Sequence, residues 1–481
     1  MDALFVSAAV LLIVGLKLMG QAATARKGNV LSGAGMLLAV ATTLWIFPPK
    51  NTWVLVSVIA FGSLVGIWTA AYVKMTAMPE LVALFNGFGG LASLLVGVVE
   101  GVKLIRTSDD LVATGFVFTQ VAVISAVVIG GITFTGSLVA YGKLSQKLPS
   151  GSIVFPFQPY VCFALLCFLY WSSCGWIVSQ NIFGFDPFYA MIAFSLIAGI
   201  LFTLHIGGGD MPVVIALLNS LSGVAACAAG LISLNKVLIV AGCLVGTSGL
   251  ILTLIMCKAM NRSIGKVLLG GFKASETKAQ SKSSGEPETM SAEDAYFPLE
   301  TARTVAIVPG YGLAVAQAQH AVKELVQKLT ENGAEVFYAI HPVAGRMPGH
   351  MNVLLAEADV DYDQLTELEA ANARFQETDV AIVVGANDVV NPAAVENKNS
   401  PLYGMPILEV FKAKTVLVLK RGQGKGFSGL ENELFLKDNV RMIYGDAKKT
   451  LTQLAMQFKG EREGVRFADG CMQKRERSVR A

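Results

Sequence analysis

A chain of 481 residues, of which 53% are hydrophobic and only 15% are charged, is too apolar for an ordinary soluble enzyme. The net charge is only +3, and no basic patch interleaved with aromatic residues is visible, so a nucleic-acid partner is not expected. Residues 1–260 contain 11 of the 38 Lys and Arg and 7 of the 35 Asp and Glu. This uneven distribution indicates a membrane-embedded half followed by a soluble half.

Nine apolar stretches fill residues 1–260. A transmembrane helix needs about 20 mainly apolar residues, and the stretches that meet this need are 3–20, 29–47, 52–73, 79–99, 112–140, 159–179, 187–206, 211–230 and 236–257. The first begins at Met1-Asp2 without a basic segment, so we interpret it as a retained span and not as a cleaved signal. The loops on the side of the residues after the last span are slightly richer in Lys and Arg, so the positive-inside rule predicts a cytoplasmic C-terminal half.

A polar linker is predicted at residues 261–299. Within it, the stretch 273–294 reads KASETKAQSKSSGEPETMSAED and has almost no large apolar residue, so it cannot bury enough surface to become ordered. We therefore predict a flexible tether. A charged tail at 459–481 ends the chain and carries no readable motif.

Apolar runs alternate with helical stretches between the linker and the tail. The runs are TVAIVP, EVFYAI, DVAIVV, TVLVLK and VRMIY, and the helical stretches include 314–332 and 446–458. Continuous, non-alternating apolar strands of this kind are typical of a parallel sheet that is covered on both faces. The predicted fold class is a polytopic α-helical membrane domain plus a doubly wound α/β, Rossmann-like domain.

The first of these strands ends in a glycine turn, Pro309-Gly310-Tyr311-Gly312, that opens a helix. Gly310 permits a tight turn, and Gly312 lets the backbone approach a pyrophosphate that would lie on the N-terminus of the helix. The third position of the dinucleotide fingerprint holds Val315 where a small residue is usual. A plain strand-turn-helix without a ligand therefore stays open as the alternative.

The end of the second strand bears on which nicotinamide dinucleotide would bind. An NAD site usually places an acidic residue there for the ribose 2′-hydroxyl, but EVFYAIHP has none. Instead, His341 is followed closely by Arg346, and another strand ends in Lys420-Arg421. Because these cations can bind a 2′-phosphate, the pattern favours NADP over NAD.

Other strand ends also look like ligand loops, because open α/β sheets bind ligands at the carboxyl ends of their strands. Gly385-Ala386-Asn387-Asp388 follows DVAIVV, and the turn GRMPG at 345–349 precedes a helix. The stretch RGQGKGFSG at 421–429 is dense in glycine and suits a mobile lid, with a merely solvated loop as the alternative.

Several long motifs make the resemblance to a known family specific. They are PGYGLAVAQAQ, IHPVAGRMPGHMNVLLAEA, VVGANDVVNPAA, GMPILEV, LKR and YGDAK, in this order, after spans that contain GGGDMPVVIALLNSLSGVAA and MCKAMNR. In these motifs the chain resembles the beta subunit of the proton-translocating NAD(P) transhydrogenase, over nearly its whole length up to residue 458. The resemblance implies a membrane domain at 1–260 and an NADP(H)-binding domain, called domain III, at 300–458.

The resemblance also implies a cofactor, a partner and a set of binding residues. NADP(H) would bind on this chain in a flipped orientation, and NAD(H) on a partner alpha subunit or subunits. The alpha-beta unit would form a homodimer in the bilayer of the bacterial inner membrane. The implied NADP(H)-binding residues are Gly310, Tyr311, Gly312, Ala314, Val315, Ala316, Val343, Ala344, Gly345, Arg346, Met347, Pro348, Gly349, Gly385, Ala386, Asn387, Asp388, Val389, Asn391, Lys420, Arg421, Gly422, Gly445, Asp446 and Ala447.

Two predicted spans each carry a stripe of small or polar residues at i, i+4, i+7 and i+11, which lies on one helix face. The stripes consist of Asn86, Gly90, Ser93 and Gly97 and of Asn219, Gly223, Ala226 and Gly230. Close helix packing explains the small residues without any transport function. It does not explain the two amides, which can hold a water chain. The ionisable Glu80, His205 and Asp210 are further candidates for an ion path.

The resemblance implies that Asn219 and Asp210 belong to the proton path, and that Asp388 links the state of the nucleotide to the membrane domain. The chain also departs from the family, because many members have a histidine where this chain has Asn86, in LFNGFGG. An imidazole titrates near neutral pH and an amide does not. The titrating group is therefore expected elsewhere, on His205 or on a helix of the partner subunit.

The function that we expect is an enzyme in which hydride passes between NAD(H) and NADP(H) while a proton crosses the membrane. Only one nucleotide fold is visible, so the NAD(H) site must come from another polypeptide. A transporter gated by a regulatory nucleotide domain is the second hypothesis, and a membrane reductase with its own substrate is the third. No haem, flavin or metal-ligand pattern supports the third, and no metal site is predicted.

Overall fold

The computed structural model describes residues 2–20, 24–46, 48, 50–73, 77–106, 114–149, 151–153, 157–177, 186–261, 263–269, 287–347, 349–398, 400, 402–422, 424, 426, 428 and 430–458. The chain divides into two compact units, Met1–Cys257 with Arg262–Ser275 and Lys258–Asn261 with Glu276–Ala481. Most of the predicted tether and all of the charged tail lie outside the described residues. We call Met1–Cys257 with Arg262–Ser275 the membrane unit, and Lys258–Asn261 with Glu276–Ala481 the nucleotide-binding unit.

Each of the nine predicted apolar stretches forms a helix. The helices are α1 Asp2–Met19, α2 Ala25–Ile46, α3 Thr52–Tyr72, α4 Met78–Arg106, α5 Thr114–Leu144, α6 Gln158–Ile177, α7 Pro187–Leu204, α8 Met211–Ile232 and α9 Lys236–Ala259, and a short helix α10, Ile264–Leu269, follows. Within the described residues, α2 to α9 contain eight segments that are long and apolar enough to cross a membrane, and α1 is apolar but shorter. The chain is therefore a membrane protein, and the total of nine spans stays a prediction.

Local capping explains where two of the helices begin. Asp186 precedes α7 and its carboxylate accepts a hydrogen bond from the amide of Phe188 at 2.9 Å, next to Pro187 at the first helical position. Asn235 precedes α9, and its Oδ1 accepts from the amides of Val237 and Leu238. Both side chains satisfy amides that have no partner inside the helix.

Glycine seams hold the centre of the membrane unit together. A Cβ on Gly90 of α4 would lie 2.9 Å from the carbonyl oxygen of Gly130 of α5, and a Cβ on Gly223 of α8 would lie 2.3 Å from the amide nitrogen of Gly246 of α9. The helix backbones are therefore in contact, as in other small-residue packings of membrane helices. The approach of α8 to α9 also brings Cys227 Sγ within 3.4 Å of Cys243 Sγ, which the sequence did not predict.

The nucleotide-binding unit is built on one parallel sheet of six strands. The strands are β1 Thr304–Pro309, β2 Glu335–Ile340, β3 Leu365–Glu367, β4 Val380–Val384, β5 Thr415–Lys420 and β6 Val440–Tyr444, in the order β3-β2-β1-β4-β5-β6. The central register pairs Ile307 with Ile382 and Ile382 with Leu417. The predicted combination of membrane helices with a Rossmann-like domain is therefore confirmed.

Helices and turns cover the sheet on both faces. They are α11 Tyr296–Glu300, α12 Tyr311–Ala316, α13 Gln319–Glu331, α14 His350–Glu357, α15 Leu368–Arg374, α16 Ala393–Glu396 and a last helix, α17, at 447–458. On one face, Phe337, Ala381 and Val418 pack with Phe375 and Leu408 in a buried cluster. Burial of continuous apolar strands on two faces is the reason that their residues do not alternate with polar ones.

The structure differs from the sequence prediction in three elements. The short edge strand β3 was not predicted, and the helix predicted at 314–332 is broken into α12 and α13 at Gln317, which has a left-handed backbone with φ of 48°. The range 261–299, predicted as a linker, contains α10 and a segment that pairs with the sheet. In that segment the amide of Met442 donates to the carbonyl of Glu288 at 2.8 Å, so ordered contacts of the nucleotide-binding unit begin earlier than residue 300.

Candidate nucleotide site and membrane path

Two glycine loops meet at the centre of the sheet, where the strand order reverses between β1 and β4. The amide of Gly310 donates to the carbonyl of Val384, and the amide of Gly312 to the carbonyl of Gly385, each at 2.9 Å. A Cβ on Gly310 would lie 2.4 Å from the Cα of Ala386, so only glycine fits. Such a reversal forms the crevice in which open α/β sheets bind ligands.

The crevice opens into a cavity of about 470 Å³, a size typical of small-molecule and cofactor sites. Its wall contains loops from the carboxyl ends of β1, β2, β4 and β5. The lining residues are Gly310, Tyr311, Gly312, Val343, Ala344, Gly345, Gly385, Ala386, Asn387, Asp388, Val389, Lys420, Arg421, Gly422, Gly424 and Gly426. The first fourteen are residues that the sequence analysis predicted, and the cavity brings them together.

Arg346 lies beside this wall and stacks on it. Its guanidinium is 4.6 Å from the ring centroid of Tyr311, and the Tyr311 ring is 6.5 Å from that of His350. The backbone amide of Arg346 donates to Nδ1 of buried His350 at 3.1 Å, which requires a lone pair on Nδ1 and therefore a neutral ring. Burial, with a smaller contribution from Arg346, lowers the pKa of His350 to about 4.

His341, directly after β2, is a second buried and neutral histidine. Its Nε2 lies 2.8 Å from the carbonyl of Pro406, and its Nδ1 accepts from the amide of Val343 at 3.3 Å. Burial lowers the pKa of His341 to about 4, although the hydrogen bond to Pro406 opposes this shift. His341 therefore holds the loop after β2 and does not supply a positive charge for a phosphate.

Two cations at the end of β5, Lys420 and Arg421, line the cavity. The Lys420 ammonium lies 4.5 Å from the ring centroid of Phe435, and Arg421 is exposed. Burial lowers the pKa of Lys420, and the nearby Asp388 carboxylate opposes that shift. A positive charge at the edge of a cavity is suited to a phosphate group.

Asp388 binds the glycine-dense loop that follows Arg421. Its Oδ2 accepts from the amide of Ser428 at 2.9 Å and its Oδ1 accepts from the Ser428 hydroxyl at 2.6 Å. A Cβ on Gly426 would lie 2.4 Å from Oδ1, so the backbone of this loop lies directly against the carboxylate. Gly424 and Gly426 of this loop line the cavity, and the predicted role as a mobile lid stays a prediction.

Some predicted residues do not reach the cavity. Ala314, Val315 and Ala316 lie in α12, Met347 and Gly349 follow Arg346, and Asn391 is buried and donates to the carbonyl of Glu431. Gly445, Asp446 and Ala447 follow β6, where Asp446 caps α17 by accepting from the amide of Lys449. Pro348 lies outside the described residues.

Four residues of the site were missed by the sequence analysis. Gly424 and Gly426 were part of the predicted lid but were not named as site residues, although their glycine density was the available signal. His350 and Ser428 act through hydrogen bonds to Arg346 and Asp388, and no sequence signal identified them.

In the membrane unit, the glycines of both predicted stripes serve helix packing. Asn86 is buried and its Nδ2 has no hydrogen-bond partner among the described residues, while Asn219 is half-buried. A Cβ on Gly89 of α4 would lie 2.8 Å from the hydroxyl of Ser222 of α8, so these helices meet at that point. Each asparagine lies three residues before this contact on its own helix. Both amides therefore lie within about one helical turn of the contact between α4 and α8.

His205 ends α7 and Asp210 lies in the turn before α8. The His205 ring is completely buried, with Nδ1 3.1 Å from the carbonyl oxygen of Leu201 and Nε2 2.6 Å from that of Leu268. Asp210 is half-buried. Glu80 lies in the first turn of α4. The ionisable candidates therefore lie at helix ends and not in the middle of a span.

Known proteins of one family match this chain over both of its units. A family model, the NAD(P) transhydrogenase beta subunit, matches residues 1–457. Two sequences of NAD(P) transhydrogenase subunit beta from Rhodospirillum rubrum are each 44% identical to this chain over 458 residues, which is 94% of this chain and 97% of the relative. The xylose transport system permease protein XylH of Haemophilus influenzae is 25% identical over only 145 residues, 29% of this chain and 37% of the permease.

The permease match is too short and too weak to indicate a shared family. The beta-subunit matches, in contrast, extend over the membrane helices, the crevice between β1 and β4 and the cations after β5. This chain belongs to the NAD(P) transhydrogenase beta subunit family.

Proposed function

We propose that this chain supplies the NADP(H) site of a proton-translocating transhydrogenase, in which NADH bound to an alpha subunit donates hydride to NADP⁺. The observation that carries the proposal is the crevice between β1 and β4, with Lys420 and Arg421 on its wall and Arg346 beside it. No acidic residue follows β2, where an NAD site would use one for the ribose 2′-hydroxyl.

The residues present fit a dinucleotide with a 2′-phosphate. Gly310, Tyr311 and Gly312 at the N-terminus of α12 line the cavity, where a pyrophosphate would lie, and the three cations are available to the 2′-phosphate. Bound NADP⁺ supplies the nicotinamide that accepts hydride. The chain's own residues bind and orient it, and the loop held by Asp388 and Ser428 excludes water.

Proton movement supplies the driving force in this proposal. One proton that moves down a potential of 100 mV releases about 2.3 kcal/mol, which shifts a mass-action ratio roughly fiftyfold. Inward movement of the proton would thereby draw hydride toward NADPH. We assign the path to Asn86, Asn219, His205 and Asp210, and we assign to Asp388 the link between nucleotide state and proton movement.

The remaining features of the proposal concern the assembly. The NAD(H) site lies on the alpha subunit or subunits, because hydride transfer requires two dinucleotides face to face and the described residues contain one dinucleotide crevice. The alpha-beta unit forms a homodimer in the lipid bilayer of a bacterial inner membrane. The nucleotide-binding unit lies in the cytoplasm, as the distribution of Lys and Arg among the loops supports.

The test is reconstitution of this chain with its alpha subunit in lipid vesicles. Addition of NADPH and an oxidised NAD analogue should reduce the analogue and acidify the vesicle lumen, as a pH-sensitive dye reports. An uncoupler should abolish the dye signal and accelerate hydride transfer. Hydride transfer that is unaffected by the uncoupler and produces no pH change would contradict proton coupling, and absence of hydride transfer would contradict the enzyme role.

A further inference from the structure

The histidine at the end of α7 contacts two different helices through its two ring nitrogens. His205 Nδ1 faces the carbonyl oxygen of Leu201, one turn earlier in α7, at 3.1 Å. Its Nε2 faces the carbonyl oxygen of Leu268, in the short helix α10, at 2.6 Å. The ring is fully buried, so both contacts are made away from bulk water.

The protonation state of His205 determines how strong these contacts are. A carbonyl oxygen can only accept, and a neutral imidazole has one N–H, so only the imidazolium form donates to both carbonyls. Either neutral tautomer turns a lone pair toward one carbonyl and also removes the charge that strengthens the other bond. Loss of the proton therefore weakens the attachment of α10 to α7 whichever nitrogen keeps its hydrogen.

A buried lysine fixes the end of α7 on which this contact depends. Lys143 of α5 is 1% exposed, and its ammonium donates to the carbonyls of Leu204 at 2.5 Å, Ile206 at 2.6 Å and Gly151 at 3.3 Å. Leu204 and Ile206 flank His205 on both sides. The bonds from α5 hold the end of α7 without the His205 ring, whereas the Nε2 contact of that ring attaches α10.

Helix α10 is the last described element of the membrane unit before the chain continues through residues 270–286 to the nucleotide-binding unit. We propose that His205 is a positioning residue, a proton-dependent tie that holds α10 on α7 when the ring is protonated and loosens it when the proton leaves. This inference rests on the proposed function, since it gives the proton path a mechanical link to the chain segment that leads to the nucleotide site.

Other charged and titratable groups surround this tie. They are Lys143 of α5, which donates to the carbonyls on both sides of His205, and Asp210, in the turn after His205, whose charge acts on Cys257 of α9. Among them Lys143 holds the flanking carbonyls directly. The test therefore changes His205 alone and leaves the other groups in place.

The experiment is hydrogen-deuterium exchange of residues 263–269 in the full chain with its alpha subunit in lipid nanodiscs, compared at about pH 6 and about pH 8. Rates are corrected for the intrinsic effect of pH. In the native chain, protection of α10 should fall about tenfold from the lower to the higher pH, the size expected for a charge-assisted hydrogen bond. His205→Gln, whose amide donates at both pH values, should show the same protection at both.

A matched control is His320→Ala, because His320 is an exposed histidine of α13 in the nucleotide-binding unit. This variant should retain the native pH response of α10. Equal protection at both pH values in the native chain, or a tenfold response that persists in His205→Gln, would overturn the proposal. Transhydrogenation and proton pumping are measured on the same preparations. A pH response of α10 without transhydrogenation would support the tie and contradict the proposed function.

Discussion

Asp388 and Ser428 join two loops that the sequence separates by forty residues. The Asp388 carboxylate accepts hydrogen bonds from both the amide and the hydroxyl of Ser428, at 2.9 and 2.6 Å. Its negative charge also favours the charged form of Lys420. One carboxylate therefore connects the loop after β4 with Lys420 and with the glycine-dense loop after β5. This arrangement is the basis of the proposed role of Asp388 in linking nucleotide state to proton movement.

This arrangement predicts that Asp388→Asn slows proton-coupled turnover more than it weakens NADP(H) binding. The amide can still accept one hydrogen bond from Ser428, so the loop remains near the cavity, but the charge that links it to Lys420 is lost. Steady-state pumping and calorimetric binding of NADPH would be compared in the same variant. The coupling role is wrong if binding falls in step with turnover. Ser428→Thr, which keeps the hydroxyl, serves as the control and should retain most activity.

Replacement of Lys420 and Arg421 by Ala should weaken NADPH binding by about 3 kcal/mol or more, since hydrogen bonds to charged groups contribute about 1.5–3 kcal/mol each. Binding of NADH, which has no 2′-phosphate, should change little. Lys437→Ala is a matched control, because the Lys437 ammonium also lies on an aromatic ring, 4.4 Å from the centroid of Phe411, but does not line the cavity. An equal loss for both nucleotides would show that the two residues support the fold.

The stability of the nucleotide-binding unit should fall in mild acid. His341 and His350 have pKa values of about 4 in the folded chain and 6.5 as the ordinary value. Between these values the unfolded chain binds more protons than the folded chain, so stability is full above pH 6.5 and is lost as the pH falls toward 4. The loss is about 3 kcal/mol for each histidine.

Urea unfolding at about pH 7 and about pH 4.5, the two sides of this window, measures the effect. His350→Gln should unfold with a smaller difference between the two pH values than the native chain. The exposed His320 offers the comparison, because His320→Gln should leave that difference unchanged. A pH dependence that His350→Gln does not alter would mean that other groups cause the acid instability.

The membrane path predicts that Asn219→Leu abolishes proton pumping in vesicles that also contain the alpha subunit. The substitution removes one of the two amides near the contact of α4 with α8, close to Ser222. Asn219→Ser retains a polar group and should pump at a reduced rate. Subunit assembly would be checked separately, and full pumping by Asn219→Leu would reduce the stripe to helix packing.

His205→Ala should have a comparable effect if His205 supplies the titrating group, and a smaller effect if a partner helix does.

Much of the architecture follows from patterns that are local in sequence. Apolar stretches as long as Pro187–Leu204 and continuous strands such as Val380–Val384 are each defined by their own residues, so the long helices α1 to α9 and five of the six strands were predicted. The glycines at 310 and 312 predicted the position of the crevice, because a turn directly after a strand that lets another backbone come close requires glycine.

Features that depend on distant contacts were not predictable. The strand Leu365–Glu367 has only three residues and owes its extended form to pairing with β2. The break at Gln317 interrupts an otherwise helical pattern, and the bond from Ser428 to Asp388 joins residues that only the folded chain brings together. The roles of Asn86, Asn219, His205 and Asp210 stay predictions that depend on the variants described above.

The most direct test of the central claim is the relative affinity of the nucleotide-binding unit for NADPH and NADH. Residues 287–481 contain the complete sheet and the buried cluster around Phe337 and Phe375, so this segment is expected to fold alone. Isothermal titration calorimetry should give an NADPH affinity at least about a hundredfold above that for NADH, because the 2′-phosphate gains charge-assisted hydrogen bonds from cations beside the cavity. Equal affinities for the two nucleotides would contradict the assignment of the NADP(H) site to this chain.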